Sequence, residues 1–331
     1  MTIEDIAQLA NTSVATVSRV INNDTHVRPE TRKRVQKVIK ENNYRPNVAG
    51  KNLRQNKTSQ ILAILPTITN PFFSPVIDGF SDVAVRNGYS LTFVVSNRDP
   101  AREKSYLDLL VSKNVDGIVL FFPAIDSNTL EDISADYPVV CIGSIGSQKV
   151  SQVGINDFDA ACEGTNYLIR SGHKRIAVIQ DLQKLKFNEE REKGFRVAMR
   201  RAGLSVDEEL ILRCNGKNEV AETVASVMKS ENPPSAFFSF SDVLAMPAIK
   251  FLTDHGFNIE KDISVMGFDN IDFCQYTTPS LTSVSQPGYQ MGESACRLLL
   301  EKMEDVHSLS KVIIFPHEII VRESTSHYSS R

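Results

Sequence analysis

Tryptophan is absent from this chain of 331 residues, and cysteine and histidine are sparse. The five cysteines (Cys141, Cys162, Cys214, Cys274 and Cys296) include no Cys-x-x-Cys pair. That odd, unpaired set argues against a disulfide scaffold and fits reduced, buried thiols of a cytoplasmic protein. The six histidines lie at 26, 173, 255, 307, 317 and 327, without metal-ligand spacing, so no metal is expected. No Gly-x-Gly-x-x-Gly follows the first strand-like run and no phosphate loop is present, which leaves a nucleotide enzyme unsupported. No Ser/His/Asp arrangement can be argued, so neither a catalytic residue nor a cofactor is expected. Apolar runs are short, and none reaches membrane-spanning length. The opening Met1-Thr2-Ile3-Glu4-Asp5 is acidic, with no apolar core of an export signal after it.

What the chain does have is a basic beginning. Residues 1–57 carry 11 Lys/Arg and 5 Asp/Glu, a net of +6; the whole chain is −3, which leaves −9 for residues 58–331. A basic head on an acidic body is the electrostatic footprint of a nucleic-acid module joined to something else. Thr2 can cap a helix over about residues 3–10, with Asp5 as its capping-box partner and Ile3, Ile6, Ala7 and Ala10 on one face. Asn11-Thr12 makes a polar turn, and Ser13 can cap a second helix that buries Val14, Val17 and Ile21. Its opposite face offers Ala15, Thr16, Ser18, Arg19 and Asn22. A third helix follows Pro29, with Val35, Val38 and Ile39 as its apolar stripe and Arg32, Lys33, Arg34, Lys37 and Lys40 on its other faces. The pattern predicts a helix-turn-helix, in which lysines and arginines neutralise phosphates and the second helix reads bases.

Three stretches carry a resemblance: Thr2-Ile3-Glu4-Asp5-Ile6-Ala7, Ser13-Val14-Ala15-Thr16-Val17-Ser18-Arg19-Val20-Ile21-Asn22 and Asn43-Tyr44-Arg45-Pro46-Asn47. They are similar to the lac repressor/purine repressor family of bacterial transcription regulators, and the likeness runs nearly to the C-terminus. It implies a DNA-binding head over residues 1–46, a hinge over 47–58, and an effector-binding and dimerisation domain over 59–331. Implied DNA contacts are Thr2, Ser13, Val14, Ala15, Thr16, Ser18, Arg19, Asn22, Arg28, Tyr44, Asn47 and Leu53. Val14, Ala15 and Arg19 match the specificity positions, and Arg19 can make two bonds to guanine. In the family the hinge orders on DNA and a leucine, matched by Leu53, wedges into a minor-groove base step. Two departures are visible. Gly50 stands where alanine is usual, at a cost of about 1 kcal/mol in helix propensity. Arg28 replaces the serine that usually caps the third helix, a loss on the order of 1 kcal/mol.

The body alternates short apolar runs with helical patterns, which predicts α/β folding with parallel sheets. Strand signals cover residues 61–65, 91–95, 117–121 and 139–142, then 176–179, 210–213, 236–239 and 264–268. Helical patterns cover 73–87, 101–113, 159–171, 191–202 and 220–230. A late helix is expected at 288–303, with strands at 312–316 and 318–321. The resemblance adds a two-subdomain, periplasmic-binding-protein-like topology with three crossovers. It implies one subdomain of about 59–155 plus 286–309 and another of about 156–285 plus 310–324.

A ligand would then lie in the cleft beyond the carboxyl ends of the strands. Phe72, Phe73, Asn156, Asp157, Arg191, Asp242 and Asp269 are the effector-binding candidates, with Arg191 and Asp269 foremost. The alternative for Arg191 is a structural pair with Asp269 or Asp242, and Phe72 reads equally well as core. Phe187-Asn188-Glu189-Glu190 stands where small hydroxyl residues are common, and Cys214-Asn215-Gly216-Lys217 lacks the aromatic ring often found there. The resemblance thus implies a repressor that binds a pseudo-palindromic DNA operator as a homodimer. A small molecule in the cleft, a sugar or sugar derivative, would control it. A solute-binding protein of a transport system, or control by a protein partner, stays open as an alternative. The polar tail from Ser324 has no leucine heptads, so a dimer and not a tethered tetramer is expected.

Overall fold

The computed structural model describes residues 1–44, 57–183, 185–259 and 261–328. Asn47, Gly50 and Leu53 of the expected hinge lie outside the described residues. The chain divides into two compact units, residues 1–58 and 59–331.

In the first unit, α1 (Ile3–Leu9), α2 (Val14–Ile21) and α3 (Pro29–Glu41) surround a small core of Ile6, Ala7, Ala10, Val17, Val20 and Val35. The capping box closes α1. The Thr2 hydroxyl accepts from the Asp5 N–H at 3.3 Å, and the Asp5 carboxylate accepts from the Thr2 N–H at 2.7 Å. Ser13 caps α2, accepting from the Thr16 N–H at 3.2 Å. The face that α2 buries differs from the expected one. Val20 joins Val17 in the core, while Val14 and Ile21 are only partly buried. A helix of 3.6 residues per turn places positions 17, 20 and 21 on one broad stripe, of which 17 and 20 lie deepest. Arg28 precedes α3 without any side-chain cap bond, as its departure from serine predicts. Two cations of α3 tie the unit together: Arg34 Nε donates to the Ala10 carbonyl at 2.8 Å, and Arg32 donates to the Asp24 carbonyl.

The second unit holds two six-stranded sheets. The first is ordered β11-β5-β4-β3-β1-β2 and is parallel throughout. Its strands are β1 (Gln60–Leu65), β2 (Ser90–Val95), β3 (Gly117–Phe121), β4 (Val139–Ile142), β5 (Ser151–Ile155) and β11 (Val312–Phe315). The second is ordered β12-β10-β9-β8-β6-β7, parallel except where the edge strand β12 pairs antiparallel with β10. It comprises β6 (Ile176–Asp181), β7 (Ile211–Cys214), β8 (Ala236–Ser239), β9 (Ser264–Asp269), β10 (Thr282–Ser285) and β12 (Glu318–Ile320). Helices α4 (Phe73–Arg86), α5 (Pro100–Val111), α6 (Ser127–Asp136) and α11 (Gly288–Glu304) serve the first sheet. Helices α7 (Asp157–Arg170), α8 (Lys186–Arg201), α9 (Val220–Met228) and α10 (Asp242–Asp254) serve the second. Central strands are buried on both faces, which is why they read as unbroken apolar runs. The close packing of α4 on α11 requires glycine: a Cβ on Gly79 would sit 2.1 Å from the Tyr289 carbonyl oxygen, and one on Gly292 2.0 Å from that of Val76.

The chain passes between the sheets three times, after β5, after β10 and after β11. The last crossing corrects the expected boundary near residue 310. Residues 312–315 pair in parallel with β5 and belong to the first sheet, so the switch falls between Phe315 and Glu318. Four elements carry little sequence signal: β5, β10, α6 and α10. In β5 the buried Gln152 is polar, and its side-chain oxygen accepts from the Ile145 N–H at 3.1 Å. In β10 the buried Ser283 hydroxyl donates to Asp242 at 2.7 Å. No helix among the described residues is long and apolar enough to cross a membrane.

Candidate functional sites: the head and the inter-lobe cleft

On the head, α2 shows Ala15, Arg19 and Asn22 to solvent, with Ser13 at its start, while Thr16 and Ser18 are half-buried. Arg19 keeps 63% of its side chain exposed and lies 3.9 Å from the Asp24 carboxylate. Such a loose surface pair is worth little and leaves the guanidinium free to reorient. Val14 is half-buried against the head's core, and so is Tyr44. Thr2 is engaged as the α1 cap, and Arg28 is exposed.

In the body, a cavity of about 440 Å³ opens between the lobes. Its walls come from the carboxyl ends of strands in both sheets: Pro66 and Thr67 after β1, Asn97 and Arg98 after β2, Phe122 after β3, Asp181 at the end of β6, Asn215 after β7, Phe240 and Ser241 after β8, and Asp269 at the end of β9. Parallel strands feeding helices leave these loops together on one side, where a ligand can be gripped by both lobes. Four lining residues without the freedom of glycine hold positive φ: Asn97 (55°), Arg98 (57°), Phe122 (46°) and Asp269 (112°). Strain of this kind persists where the surroundings over-determine it, as at binding sites.

Phenylalanines form much of the wall. The Asn70 side chain accepts from the Phe72 N–H at 3.0 Å, fixing the turn that delivers Phe72 and Phe73. Phe72 and Phe73 each lie edge-on or tilted to Phe122, with centroids 5.9 and 6.0 Å away. Phe122, from the first lobe, meets Phe187, from the second, at 5.2 Å. A second cross-lobe contact is ionic: Arg98 Nη1 donates to Asp181 Oδ2 at 2.5 Å, both side chains being about three-quarters covered.

Arg191 lines the cavity, but its hydrogen bonds are made within the protein. Nε donates to Asp157 at 2.8 Å, Nη1 donates to the Phe240 carbonyl at 2.5 Å, and the guanidinium sits 3.5 Å over the Phe268 ring. Its ion-pair partner is therefore Asp157 and neither Asp269 nor Asp242. Both members are buried, at 2% and 3% exposure. Burial still holds the Asp157 carboxyl above its ordinary range, although the Arg191 charge pulls it down. Asp269 lines the cavity; its carboxylate accepts from Gln286 at 2.9 Å and from Ser241 at 3.1 Å. Burial pushes its pKa up against the field of Arg191. Asp242 is pushed up by burial and then by the charge on Asp269.

Three of the seven effector candidates do not line the cleft. Asp157 is consumed by Arg191. Asn156 caps α7, accepting from the Asp159 N–H at 3.1 Å. Asp242 is fully buried, taking the Ile271 N–H at 2.9 Å and the Ser283 hydroxyl, so it ties β9 to β10. Each carries polar chemistry that structure-internal partners satisfy. Cleft residues not expected from sequence include Arg98, Phe122, Asp181, Gln183 and Phe240. Phe122 and Phe240 directly follow strand-like runs and could have been found by that rule. Arg98 and Asp181 are 83 residues apart, with no sequence signal joining them.

The chain matches the family model described as bacterial regulatory proteins, lacI family, over residues 2–47, and that of a periplasmic binding protein-like domain over residues 165–325. The HTH-type transcriptional repressor CytR of Escherichia coli (strain K12) is 34% identical over 327 residues, covering 98% of this chain and 96% of that protein. This chain belongs to the lacI family. The HTH-type transcriptional regulator DegA of Bacillus subtilis (strain 168) is also 34% identical, over 98% of both proteins. Among solved structures, the complex of the transcriptional regulator CelR with cellobiose shares 26% identity over 98% of this chain and 99% of its own, with a TM-score of 0.73. The lac repressor dimer bound to operator has a TM-score of 0.86 at 21% identity, over 98% of this chain and 99% of its own, a likeness of fold. As a lacI-family member, the chain is a DNA-binding transcription regulator and not an enzyme.

Proposed function

We propose that this regulator represses transcription by binding a pseudo-palindromic operator as a homodimer, each α2 entering the major groove of one half-site. A small molecule in the inter-lobe cleft, a sugar or sugar derivative, sets its affinity for DNA. The observation that carries the effector reading is the cavity of about 440 Å³ walled by both lobes at their strand ends. Its size suits a small ligand, and the CelR structure is a cellobiose complex. Two lobes that both touch a ligand close upon it. By linkage, a ligand that weakens operator binding must itself bind less tightly to the DNA-bound form. Val14, Ala15 and Arg19 remain the base-reading set, with Ser13, Thr16, Ser18, Asn22 and Arg28 positioning the head on phosphates. Phe72, Phe73, Asp269 and Arg191 form the effector wall, with Nε and Nη1 of Arg191 spent on Asp157 and the Phe240 carbonyl.

A thermal-shift panel of sugars, sugar phosphates, nucleobases and nucleosides at millimolar concentration tests the reading. A ligand at about 100 times its dissociation constant adds about 2.7 kcal/mol of stability. The expected outcome is a hit that Asp269→Asn abolishes and that changes the affinity for a selected operator. A hit without effect on DNA binding would sink the regulatory role of the cleft. A silent panel would favour control by a protein partner.

A further inference from the structure

We propose that Arg98 and Asp181 form a latch that holds the two lobes together at the rim of the cleft, so that closure needs no ligand and responds to ionic strength. The inference rests on the reading that the cleft holds the effector, and it adds how access to that cleft is controlled. The three passages of chain between the sheets leave from β5, β10 and β11. β5 and β11 form one edge of the first sheet, and β10 and β12 form one edge of the second. Those edges are the hinge side. Arg98 follows β2, the strand at the opposite edge of the first sheet, and Asp181 ends β6, beside the edge strand β7. β2 lies four strand spacings from β5, roughly 19 Å at about 4.8 Å each. A bond made there acts at the far end of the lever, where separation of the lobes is greatest.

Each half of the latch is braced from behind. Asn97 and Arg98 both hold positive φ (55° and 57°), and the Arg98 N–H donates to the Ser96 hydroxyl at 3.1 Å. Ser96 in turn donates to the buried Glu103 carboxylate at 3.1 Å. The other oxygen of Glu103 accepts from the Ala124 and Ile125 N–H groups at 2.9 and 2.8 Å, fixing the loop that carries Phe122. One carboxylate therefore positions both first-lobe groups that cross the cleft: Arg98, which reaches Asp181, and Phe122, which meets Phe187. On the second lobe, Asp181 Oδ1 accepts from the Gln183 N–H at 3.0 Å, which leaves Oδ2 for Arg98. Exposure separates this pair from the sealed one. Arg98 and Asp181 keep 23% and 22% of their side chains exposed, against 2% and 3% for Arg191 and Asp157. A buried pair cannot part without stranding its charges. A pair at the water's edge regains hydration as it opens, so it is reversible and screened by salt.

Because the chain has no tryptophan, Phe187→Trp places a sole indole at the cross-lobe ring contact. Quenching by acrylamide, which is uncharged, reads the exposure of that indole in the full chain without ligand. In this background Arg98→Ala and Asp181→Asn should each raise the open-to-closed ratio by up to about fivefold, seen as stronger quenching. The exchanged pair, Arg98→Asp with Asp181→Arg, should restore the protected indole. Raising salt from about 0.05 to about 1 M should strengthen quenching where the native pair is present and leave the single variants unchanged. Quenching that the single variants do not alter would overturn the proposal. So would a folded exchanged pair that stays as exposed as the single variants, because the loops and not the ion pair would then hold the lobes. If circular dichroism shows the exchanged pair unfolded, the salt titration decides, and quenching independent of salt overturns the latch. No ligand enters these measurements, so a failed latch leaves the effector reading standing. A silent ligand panel, conversely, leaves the latch to stand or fall on quenching alone.

Discussion

Arg19 in the head and Arg191 in the body were both expected to meet a ligand, and the structure holds them in opposite ways. Arg19 projects from an eight-residue helix, mostly exposed, with one distant carboxylate for company. Arg191 is sealed between a carboxylate, a carbonyl and two phenylalanine rings. The head keeps a core of six small and branched side chains and spends its polar residues on the outside. The body buries charges and hydroxyls and satisfies them from distant parts of the chain. A surface that reads DNA must stay hydrated until the operator displaces the water. A cleft that distinguishes small molecules must be dry and shaped before they arrive.

The most severe way to break that contrast is Arg191→Ala. It leaves Asp157 buried without its counter-charge and the Phe240 carbonyl without its donor. We expect the body to lose about 3–5 kcal/mol, read as a lower urea midpoint. If stability were unchanged while ligand binding vanished, the pair with Asp157 would carry no structural load and Arg191 would serve the ligand alone. Arg19→Ala should leave stability within error and cost about 1–3 kcal/mol of discrimination at one base pair per half-site. Binding to half-sites mutated one position at a time measures this. An affinity loss spread evenly over all sequences would make Arg19 a phosphate contact. The smallest effect is expected from Arg28→Ser, which supplies α3 with the cap it lacks. The head should gain up to about 1 kcal/mol of stability. An unchanged salt dependence of DNA binding would show that Arg28 touches no phosphate.

The two regions were also unequally legible. In the head, helix period, cap residues and charge placed the starts of α1, α2 and α3, because each helix opens on a capping residue or proline and buries one stripe against its neighbours. The missed Val20 shows the limit: periodicity defines a stripe, and the partner helix chooses which of its residues go deepest. In the body, strands buried on both faces announced themselves as apolar runs. β5 and β10 did not, since Gln152 and Ser283 are buried polar residues whose partners lie on other elements. The same holds for the site. Phe72, Phe73 and Asp269 follow from their places at strand ends. Asn156, Asp157 and Asp242 stand at similar places, yet their chemistry is spent inside the fold.

By itself the sequence determined the division into a basic head and an acidic α/β body, the helix-turn-helix, and the lacI-family assignment that its motifs imply. These rest on composition, period and short-range order, which are local properties of a chain. Only the tertiary structure decided that Arg191 pairs with Asp157 and that Arg98 bridges to Asp181. Burial and pairing are relations between residues far apart in the chain, and hydrogen-bond satisfaction exists only once the surrounding elements have closed around each group.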